Sequence, residues 1–492
     1  MNSNHYILCS VLVLFIFPSY SLQKDTPVEK INSDIVIRTA QRTLDISVQL
    51  VKQTIEFTVE NTGTSAVNKF LFTVDPSFEK KVTFVSGSDQ SGASLDVDKV
   101  NVVEYPGKTF WLLKLKEAIK PKQQSKINVL SILMYTLKPF PSSIALNEEQ
   151  FVQFTGNHYV YSPYKILKQK TVVETGTRKI ESYSKLMPTS LQQSDGKITY
   201  GPYAEQSPFT ENSLTVHYSN NSPFLSVPHL DRLIEVSHWG NIAVEENIEL
   251  VNTGARLKGP FSRVDSIKGN SISKFTTFLP AAAYNVYYRD EIGNVSTSSL
   301  KVFQDTVELN IRPRFPLFGG WRTSYILGYN VPSYEYLYSL GDQFKLKMRI
   351  VDHVFDNMII DEAVVKIILP ERSYDIELST PFPVTRLDDE SYYSYLDAQG
   401  RPVVVLKMTN IVENHIQDFE LNYKFSKVTM IFEPLLVCLV LFIVFICAII
   451  YFHADFTISS NDEEVETVEE QVKEDSSKPK RNVKSIGKMK RT

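Results

Sequence analysis

The stretch that decides the fold runs from Phe344 to Ile350 and reads FKLKMRI, with apolar and basic residues alternating at every position. Successive side chains of a β-strand point to opposite faces, so a period of two predicts one buried and one solvated face. The same alternation recurs in Ile55–Val59 (IEFTV) and in Phe419–Phe425 (FELNYKF). These three segments predict half-buried antiparallel strands.

Further runs rich in β-branched and aromatic residues lie between turn signals. The runs are Phe110–Leu115, Ile127–Leu137, Val364–Leu369 and Val403–Leu406, and the turn signals are Asn61-Thr-Gly63, Pro106-Gly107 and Gly319-Gly320. Many short strands over roughly 400 residues, without alternating helices, predict an all-β fold class with two tandem β-sandwich domains.

An internal echo indicates that one sandwich was duplicated. Arg42-Thr-Leu-Asp-Ile-Ser47 precedes Asn61-Thr-Gly63, and Arg232-Leu-Ile-Glu-Val-Ser237 precedes Asn252-Thr-Gly254 at nearly equal spacing. The alternative is that two strand-and-turn patterns match by chance. Because Ser219-Asn-Asn-Ser-Pro223 interrupts the strand pattern, we predict one domain over residues 22–222 and a second over residues 223–430.

Composition excludes several classes of protein. The chain has 492 residues, of which 43% are hydrophobic and 22% are charged, as is typical of a globular protein with two or three domains. Its 52 Lys and Arg against 56 Asp and Glu give a net charge of −4, so no chain-wide positive field exists to bind nucleic acid. The three cysteines, Cys9, Cys438 and Cys447, lie in apolar stretches and do not build a disulfide framework.

The N-terminus has the pattern of a secretory signal peptide. Tyr6–Phe17 is an apolar run of the length of a signal core, and Ser19-Tyr20-Ser21 offers the small residues that suit signal peptidase. We therefore predict that residues 1–21 are a cleaved signal peptide. The alternative is an N-terminal core strand or membrane anchor, since no Lys or Arg precedes the apolar run.

A second apolar segment, Leu435–Phe452, has eighteen residues without a charge. As a helix it extends about 27 Å, close to the thickness of an ER bilayer. We predict a transmembrane helix over residues 431–452 with Glu433-Pro434 at its start, and the alternative is a buried core helix.

A cleaved signal and one transmembrane helix predict a type I topology. Residues 22–432 are then lumenal or extracellular, and residues 453–492 are cytosolic. The count of positive charges does not support this orientation, because Lys424 and Lys427 lie on the lumenal side of the helix. The orientation therefore depends on the signal peptide alone.

The predicted cytosolic tail, residues 453–492, is charged and lacks hydrophobic periodicity, which predicts disorder. Its lysines Lys490 and Lys488 stand third and fifth from the end of the sequence, the KxKxx pattern of ER retrieval. The alternative is a basic tail that meets the pattern by chance or contacts anionic lipid. We predict an ER membrane protein with a single span.

The common catalytic and metal-binding motifs are absent from the sequence. Its eight histidines include no HExxH or HxH pair, and it contains no GxSxG, GxxxxGK[ST] or GxGxxG motif. Asp96 and Asp98 form a DxD, which in some glycosyltransferases holds a metal-bound sugar nucleotide. A solvated strand face is the favoured explanation of this pair. No catalytic residue, cofactor or metal ligand is predicted.

Aromatic residues cluster in Tyr159–Tyr164, Tyr284–Tyr288 and Tyr334–Tyr338. We interpret them first as sandwich core, with a partner interface or a sugar- or peptide-stacking surface as alternatives. Three histidines are interpreted as core residues in the same way: His158, His238 and His353.

Two Asn-x-Ser/Thr sequons occur, and in a secretory chain such sequons mark exposed loops. Asn294, in the turn-like Glu291–Asn294, is the predicted N-glycosylation site. Asn220 is the less favoured acceptor, because Pro223 follows its sequon and restricts the backbone.

Several long, uncommon strings carry a resemblance to a known family. They are GNHYVYSPY at 156–164, EVSHWGNIAVEEN at 235–247, GPFSR at 259–263, LPAAA at 279–283, YYRDEIGNVST at 287–297, RPRFPLFGGW at 312–321, VDHVFD at 351–356 and EPLL at 433–436. The chain resembles the ribophorin I family in these strings. The similarity runs from about residue 35 to the end of the apolar helix.

The resemblance implies a subunit of the ER oligosaccharyltransferase, which transfers a preassembled glycan from dolichol pyrophosphate to Asn in Asn-x-Ser/Thr of nascent polypeptides. In that family the chemistry belongs to another, polytopic subunit, so the resemblance implies a non-catalytic scaffold of two β-sandwiches. The implied partners are the catalytic subunit, the other subunits of the complex and nascent membrane or secretory polypeptides. The translocon is a further candidate partner. Asn294 matches the glycosylated sequon of the family.

One departure limits the resemblance. Animal ribophorin I has a longer cytosolic extension that meets the ribosome, whereas only the charged residues 453–492 follow the helix here, so the resemblance does not extend to ribosome contact. Two other functions compete with the scaffold. One is an ER membrane cargo receptor or chaperone with a retrieval tail, and the other is a lumenal glycosyltransferase that uses Asp96 and Asp98.

Overall fold

The computed structural model describes residues 28–192, 194–261, 270–395, 397 and 399–454. Within them the fold is all-β with several sheets and one long apolar helix near the C-terminus, which confirms the predicted fold class. The predicted signal peptide (residues 1–21) and the lysines of the predicted retrieval signal, Lys488 and Lys490, lie outside the described residues. The chain forms two compact units that are divided between Ile431 and Phe432.

The first half of the β-structure contains one sheet of eleven strands and one of four. Its strands are β1 Val28–Glu29, β2 Ile35–Asp45, β3 Val51–Asn61, β4 Val67–Thr73, β5 Val82–Asp89, β6 Ser94–Val102, β7 Phe110–Ile119, β8 Gln124–Leu133, β9 Leu137–Pro139, β10 Ser143–Ile144, β11 Phe151–Asn157, β12 Gln169–Glu174, β13 Ile180–Tyr183, β14 Thr189–Gln192, β15 Lys197–Tyr203 and β16 Ser213–Ser219. The large sheet has the order β14-β15-β12-β2-β3-β8-β5-β6-β7-β4, with β1 beside β6, and the small sheet has the order β13-β16-β11-β9.

The second half contains sheets of nine, four and three strands. Its strands are β17 Leu225–Val236, β18 Asn241–Asn252, β19 Arg256–Leu257, β20 Ser271–Ile272, β21 Phe275–Pro280, β22 Tyr284–Asp290, β23 Gly293–Asn294, β24 Ser299–Val302, β25 Thr306–Ile311, β26 Leu317–Phe318, β27 Arg322–Pro332, β28 Leu337–Leu340, β29 Gln343–Arg349, β30 Ile359–Ile368, β31 Tyr374–Ser379, β32 Thr385–Arg386, β33 Glu390–Tyr392, β34 Arg401–Val412 and β35 Asp418–Lys424. The nine-stranded sheet has the order β23-β22-β27-β18-β17-β30-β34-β32, with β33 beside β34. The others are β28-β29-β35-β31 and β21-β25-β24, and two-stranded pairs join β10 to β19 and β20 to β26.

The three alternating segments are strands, as predicted. In β29, Phe344, Leu346 and Met348 are buried while the basic residues between them are more exposed. Strand β29 pairs antiparallel with β35, which covers the segment at Phe419–Phe425 as far as Lys424, and Ile55–Val59 lies within β3. The alternation therefore identified which face of each strand is buried.

Both halves are built around the same arrangement of five strands. The order β15-β12-β2-β3-β8 in the first half corresponds to β34-β30-β17-β18-β27 in the second. In each set one central pair is parallel: β2 with β12, and β17 with β30. The antiparallel pairing predicted for the three alternating segments is confirmed, and the sequence analysis made no prediction for these two parallel pairs, because parallel pairing depends on a long crossover connection that alternation within a strand does not reveal.

The echoed Asn-Thr-Gly turns have the same local geometry. The Oδ1 atoms of Asn61 and Asn252 accept hydrogen bonds from the backbone N–H of Gly63 and Gly254, each at 3.0 Å. Both asparagine side chains are fully buried and donate from Nδ2 to backbone carbonyls. A Cβ at Gly254 would lie 1.7 Å from Nδ2 of Asn270, so this turn requires glycine.

Buried apolar side chains form two large clusters. The first core contains residues from Ile35 to Phe224, and the second core contains residues from Leu225 to Phe425. Each core receives side chains from the two faces of packed sheets, such as Phe57 of β3 with Phe154 of β11 in the first. The division of the chain into two lumenal domains stays a prediction.

A third cluster joins the two cores, and we call it the junction cluster. It consists of Leu50, Ile132 and Met134 from the first half and Ile359 and Val412 from the second, all at most 7% exposed. Two polar contacts flank it. The hydroxyl of Tyr135 donates to Oδ1 of Asp361 at 2.7 Å, and Nε2 of Gln49 donates to the carbonyl of Asn357 at 2.7 Å.

Gln150 is a buried amide that binds both halves of the chain. Its Oε1 accepts from the backbone N–H of Ala255 at 2.7 Å and from Nδ2 of Asn270. Its Nε2 donates to the carbonyls of Asn220 at 2.8 Å and Ser222 at 3.3 Å. All of its polar atoms are therefore satisfied by groups on either side of the division between the cores.

The second unit contains the long helix α2, which spans Phe432–His453. The shorter helix α1, Ser333–Tyr336, belongs to the first unit. The 22 residues of α2 extend about 33 Å. Glu433 in its first turn and His453 in its last turn suit the helix dipole. The helix is long and apolar enough to cross a membrane, and its side chains are not buried by protein.

Replacing Gln150 by Ala is expected to lower the free energy of unfolding by about 3 kcal/mol, because two donors and two carbonyls lose their buried partner. Thermal unfolding of the full chain in detergent measures the change. The matched control is Gln417→Ala, whose exposed amide donates only to the Asn414 carbonyl. Equal effects of the two substitutions would contradict a role of Gln150 in joining the cores.

Candidate functional site

The DxD pair lies on an exposed part of β6. Asp98 forms an ion pair with Lys114 of β7 at 2.7 Å, and both side chains are about half exposed. Asp96 lies directly opposite Lys114 in the same strand pair. Among the described residues, the groups with metal-ligand spacing do not include this pair. The geometry is that of a solvated strand face.

The predicted glycosylation site Asn294 is exposed on the short strand β23. The turn before it is held by Asp290, whose Oδ1 accepts from the backbone N–H groups of Ile292 and Gly293 at 3.0 Å. Arg314 donates to the same carboxylate, and this contact holds the pKa of Asp290 below its usual value. The acceptor nitrogen therefore stands on an ordered, accessible turn, and glycosylation of Asn294 stays a prediction.

The expectation that both sequons are exposed was wrong for Asn220. This side chain is only 6% exposed, and its Nδ2 donates to the carbonyl of Ser47 at 3.0 Å. Its Oδ1 accepts from the backbone N–H of Ser222. The sequon could not reveal this, because the partner of Nδ2 lies far away in the sequence.

The three histidines interpreted as core residues lie in different surroundings. His158 is 1% exposed, and burial lowers its pKa. His238 stacks on Phe425 with 4.3 Å between ring centroids, and burial followed by the charge of Lys427 lowers its pKa to about 4. The side chain of His353 is mostly buried but faces Asp356, with 3.2 Å from Nε2 to Oδ1.

The aromatic clusters divide between core and surface. In the first, Tyr161 and Tyr164 are at most 5% exposed and belong to the interior. In the last, Tyr334 and Tyr338 are 79% and 55% exposed, beside the edge strand β28. The core interpretation therefore holds for Tyr161 and Tyr164 and for Tyr336, which packs against the second core. It is wrong for Tyr334 and Tyr338, whose role as a partner or ligand surface stays a prediction.

A buried cluster of charges lies in the second core. Arg232 donates from Nη1 to Oε1 of Glu246 and to Oδ2 of Asp352, the latter at 2.8 Å. The hydroxyl of Tyr329 also donates to Asp352. The side chains of Arg232, Glu246 and Asp352 are at most 1% exposed, so no substrate reaches them from solvent.

Burial sets the protonation of this cluster. It raises the pKa of Glu246 to about 7, against the opposing effect of Arg232. Burial by itself would lower the pKa of Arg232, but Asp352, Tyr329 and Glu246 outweigh it and hold that pKa well above the usual value. At mildly acidic pH Glu246 is therefore largely neutral, while Arg232 keeps its charge.

The first core contains a counterpart, Arg42, at the echoed position of β2. It is 5% exposed, and its guanidinium donates to the carbonyls of Asn157, His158 and Tyr159 and to Oγ1 of Thr171. Burial lowers its pKa to about 10, against the opposing charge of Asp75, and its hydrogen bonds named above all go to carbonyl or hydroxyl oxygens. The two cores thus bury one arginine each and satisfy it differently.

Sequence reasoning missed this cluster and Gln150, although one signal was present. In Asn241–Asn252 the buried residues alternate with outward residues, and Glu246 occupies the same phase as Val244 and Ile248. A carboxylate in a buried phase predicts a buried partner. Gln150 has no comparable signal, since it precedes β11 in a connecting segment.

Comparisons with known proteins agree with this architecture. The family model described as Ribophorin I matches residues 35–452. The Caenorhabditis elegans protein named dolichyl-diphosphooligosaccharide--protein glycosyltransferase subunit 1 is 40% identical over 430 residues, which are 85% of this chain and 72% of that protein. Subunit 1B of Arabidopsis thaliana is 34% identical over 439 residues, which are 86% of this chain and 94% of that protein. Subunit 1B of Oryza sativa subsp. japonica is 32% identical over 446 residues, which are 87% of this chain and 93% of that protein.

The fold defines an all-β protein with one apolar C-terminal helix of membrane-spanning length. The chain belongs to the ribophorin I family, because the family model covers most of it and the relatives named above are 32–40% identical to it over the aligned residues. A solved structure of yeast LTA4 hydrolase with bestatin aligns with a TM-score of 0.23 and 10% identity over 39% of this chain and 29% of that chain, and this similarity is too low to support an argument.

Replacing Asn294 by Gln is expected to remove one N-linked glycan from the chain expressed in a secretory pathway, because Asn294 is exposed. The matched control is Asn220→Gln, which is expected to leave the glycan content unchanged, since Asn220 is buried. Gel mobility before and after enzymatic deglycosylation measures both. The assignment would be contradicted if Asn220→Gln removed a glycan and Asn294→Gln did not.

Glu246 is expected to make the fold less stable as the pH rises. Between the ordinary pKa of 4.5 and about 7, the unfolded chain has released this proton while the folded chain still binds it. Stability therefore falls across this window, by on the order of 3 kcal/mol for a shift of this size. Thermal unfolding of the full chain from pH 5 to 7 measures the slope.

Glu246→Gln is expected to remove this part of the slope, because the amide does not titrate. The control Glu245→Gln alters the neighbouring, partly exposed carboxylate and is expected to retain the part of the slope that Glu246 contributes, because Glu246 is intact. An identical pH dependence for the wild-type chain and Glu246→Gln would contradict the assigned protonation.

Proposed function

We propose that this chain is a non-catalytic scaffold subunit of the ER oligosaccharyltransferase. That complex transfers a preassembled glycan from dolichol pyrophosphate to Asn in Asn-x-Ser/Thr of nascent polypeptides. The observation that carries the proposal is the family match over residues 35–452, together with relatives named as subunit 1 of the dolichyl-diphosphooligosaccharide–protein glycosyltransferase.

The chemistry of the described residues supports a non-catalytic role. The buried cluster around Arg232 has perturbed pKa values, as active sites often do, but its side chains are sealed from solvent. The Asp96–Asp98 pair is exposed, and Asp98 is paired with Lys114. Groups of this kind stabilise a fold more readily than they activate a substrate.

The connection between the two cores supports a scaffold. The junction cluster buries five apolar side chains, and Gln150 makes hydrogen bonds on both sides of the division. A connection with buried apolar and polar contacts resists bending more than a flexible linker does. A body of this kind holds other subunits at a fixed separation.

The proposed location is the ER membrane, with a single span formed by α2 and the bulk of the chain in the lumen. Lys488 and Lys490 are proposed as the retrieval signal. The proposed partners are the catalytic subunit and the other subunits of the complex, and nascent membrane or secretory polypeptides. The translocon is a further proposed contact.

Depletion of the chain from cells is expected to lower the occupancy of Asn-x-Ser/Thr sites in secreted glycoproteins, since the complex loses a structural subunit. Re-expression of the full chain is expected to restore occupancy. The double variant Asp96→Asn, Asp98→Asn is expected to restore it equally, because the contact that Asp98 loses is a solvent-exposed ion pair with Lys114, and such pairs contribute little to stability. Mass spectrometry of glycopeptides measures occupancy.

Full occupancy after complete depletion would contradict membership in the complex. If secretion of particular proteins then failed while occupancy stayed full, the cargo-receptor function would replace the proposal. Failure of the Asp96→Asn, Asp98→Asn variant to restore occupancy, at normal abundance of the chain, would contradict the non-catalytic role.

A further inference from the structure

We propose that His353, Asp356 and Glu413 bind one zinc ion beside the junction between the two cores. His353 and Asp356 lie in the connection between β29 and β30, and Glu413 begins a 3-10 helix, Glu413–His415, directly after β34. These residues do not belong to the buried charge cluster around Arg232, and the proposed scaffold function does not depend on them. The site is inferred from their geometry, their charge and their surroundings.

The ligand atoms have the spacing of a metal site. Nε2 of His353 lies 3.2 Å from Oδ1 of Asp356 and 4.0 Å from Oε1 of Glu413, and the three ligand atoms lie within 4.8 Å of one another. Zinc binds nitrogen and carboxylate oxygen at about 2.1 Å, which separates two ligands of a tetrahedral ion by about 3.4 Å. Small side-chain rotations bring all three atoms to that separation.

The charges at this position favour a cation. In the part of the chain that the structure describes, the ion pairs of Asp356 and Glu413 involve His353 alone and include no Lys or Arg. Two carboxylates facing one imidazole leave an excess of negative charge. A divalent cation would neutralise that excess, and a site of one histidine and two carboxylates leaves a coordination position for water.

Contacts outside the site hold the ligands in place. The ring of His353 packs on Phe278 with 5.0 Å between centroids, and its carbonyl accepts from Oγ1 of Thr277. Oε1 of Glu413 accepts from the backbone N–H of Asn357. Nε2 is the ring nitrogen of His353 that faces both carboxylates, as its distances to Asp356 and Glu413 show. Fixed ligands reduce the ordering cost of metal binding.

A second histidine with two carboxylates lacks these features and provides a comparison. His229 has Asp231 at 3.0 Å from Nε2 but Glu362 at 3.8 Å from Nδ1, so the carboxylates face opposite sides of the ring. Glu362 also pairs with Lys407 at 3.0 Å. One ion cannot bind this ring and both carboxylates together. The arrangement at His353 is therefore distinct from a common surface ion pair.

The site is open to ions from solvent. The side chain of Asp356 is 78% exposed, and with Asn357 it lines a cleft of about 450 Å³ that also contains Val48 and Gln49 of the first half. The carbonyl of Asn357 accepts from Gln49, and its N–H donates to Glu413. A bound ion would therefore fix the segment through which the second half holds the first.

The ligand set favours zinc over calcium and magnesium. Calcium and magnesium prefer all-oxygen sites, whereas imidazole with carboxylates suits zinc. Manganese prefers carboxylate and water oxygens and binds a given site more weakly than zinc does, so zinc is also favoured over manganese. A measurement with the four metals separates these cases.

The test uses the full chain, purified in detergent, freed of metal with a chelator and titrated with Zn²⁺ by calorimetry. We expect one Zn²⁺ per chain, and a rise in Tm of about 4 °C or more at an excess of 100-fold over Kd. Asp356→Asn and Glu413→Gln are expected to weaken binding at least tenfold. The matched control Asp231→Asn, which removes the carboxylate beside His229, is expected to leave binding unchanged.

Asp356 is exposed, so Asp356→Asn is expected to fold normally, and circular dichroism verifies this. The proposal is overturned if the wild-type chain binds no Zn²⁺, or if Asp356→Asn and Glu413→Gln bind it as tightly as the wild-type chain. Equal weakening by Asp231→Asn would also overturn it. Tighter binding of Mn²⁺, Ca²⁺ or Mg²⁺ than of Zn²⁺ would contradict the assignment of the metal.

Discussion

The buried junction between the two cores is the constraint on which the rest of the structure depends. Each core could in principle move as a separate body, since the chain passes from one to the other between Phe224 and Leu225. The junction cluster removes this freedom by burying apolar surface from both halves. Gln150 also fixes the orientation of one half relative to the other, because its four hydrogen bonds can form together only in one relative placement of the segments around it.

The two halves show how a repeated arrangement acquires different interiors. Arg42 lies in β2 and Arg232 lies in β17, at matching positions of the two parallel strand pairs β2–β12 and β17–β30. The first is satisfied by carbonyl oxygens, and the second by two carboxylates, one of which has its pKa raised by burial. Carbonyl oxygens in one core and carboxylates in the other both provide hydrogen-bond acceptors for the buried guanidinium. A guanidinium without such acceptors would be too costly to bury.

The sequence predicted local structure well and long-range contacts poorly. The strand Gln343–Arg349 and the helix Phe432–His453 follow from side-chain periodicity and length, which act within one segment. The parallel pairing of β2 with β12 depends on residues more than a hundred positions apart, so alternation could not reveal it. The burial of Asn220 and the role of Gln150 have the same origin. His353, Asp356 and Glu413 also escaped notice, because their spacing in the sequence matches no metal-binding motif.

The buried contacts at the junction predict that the two cores move as one rigid body, and hydrogen exchange of the full chain tests this rigidity most directly. The backbone N–H groups of Ala255 and Asn357 donate to Gln150 and Glu413 at the junction. If the junction is rigid, these amides exchange as slowly as those in the centres of β3 and β18. Exchange as fast as in the exposed turn at Gly341 would show that the two halves separate readily and would contradict the account.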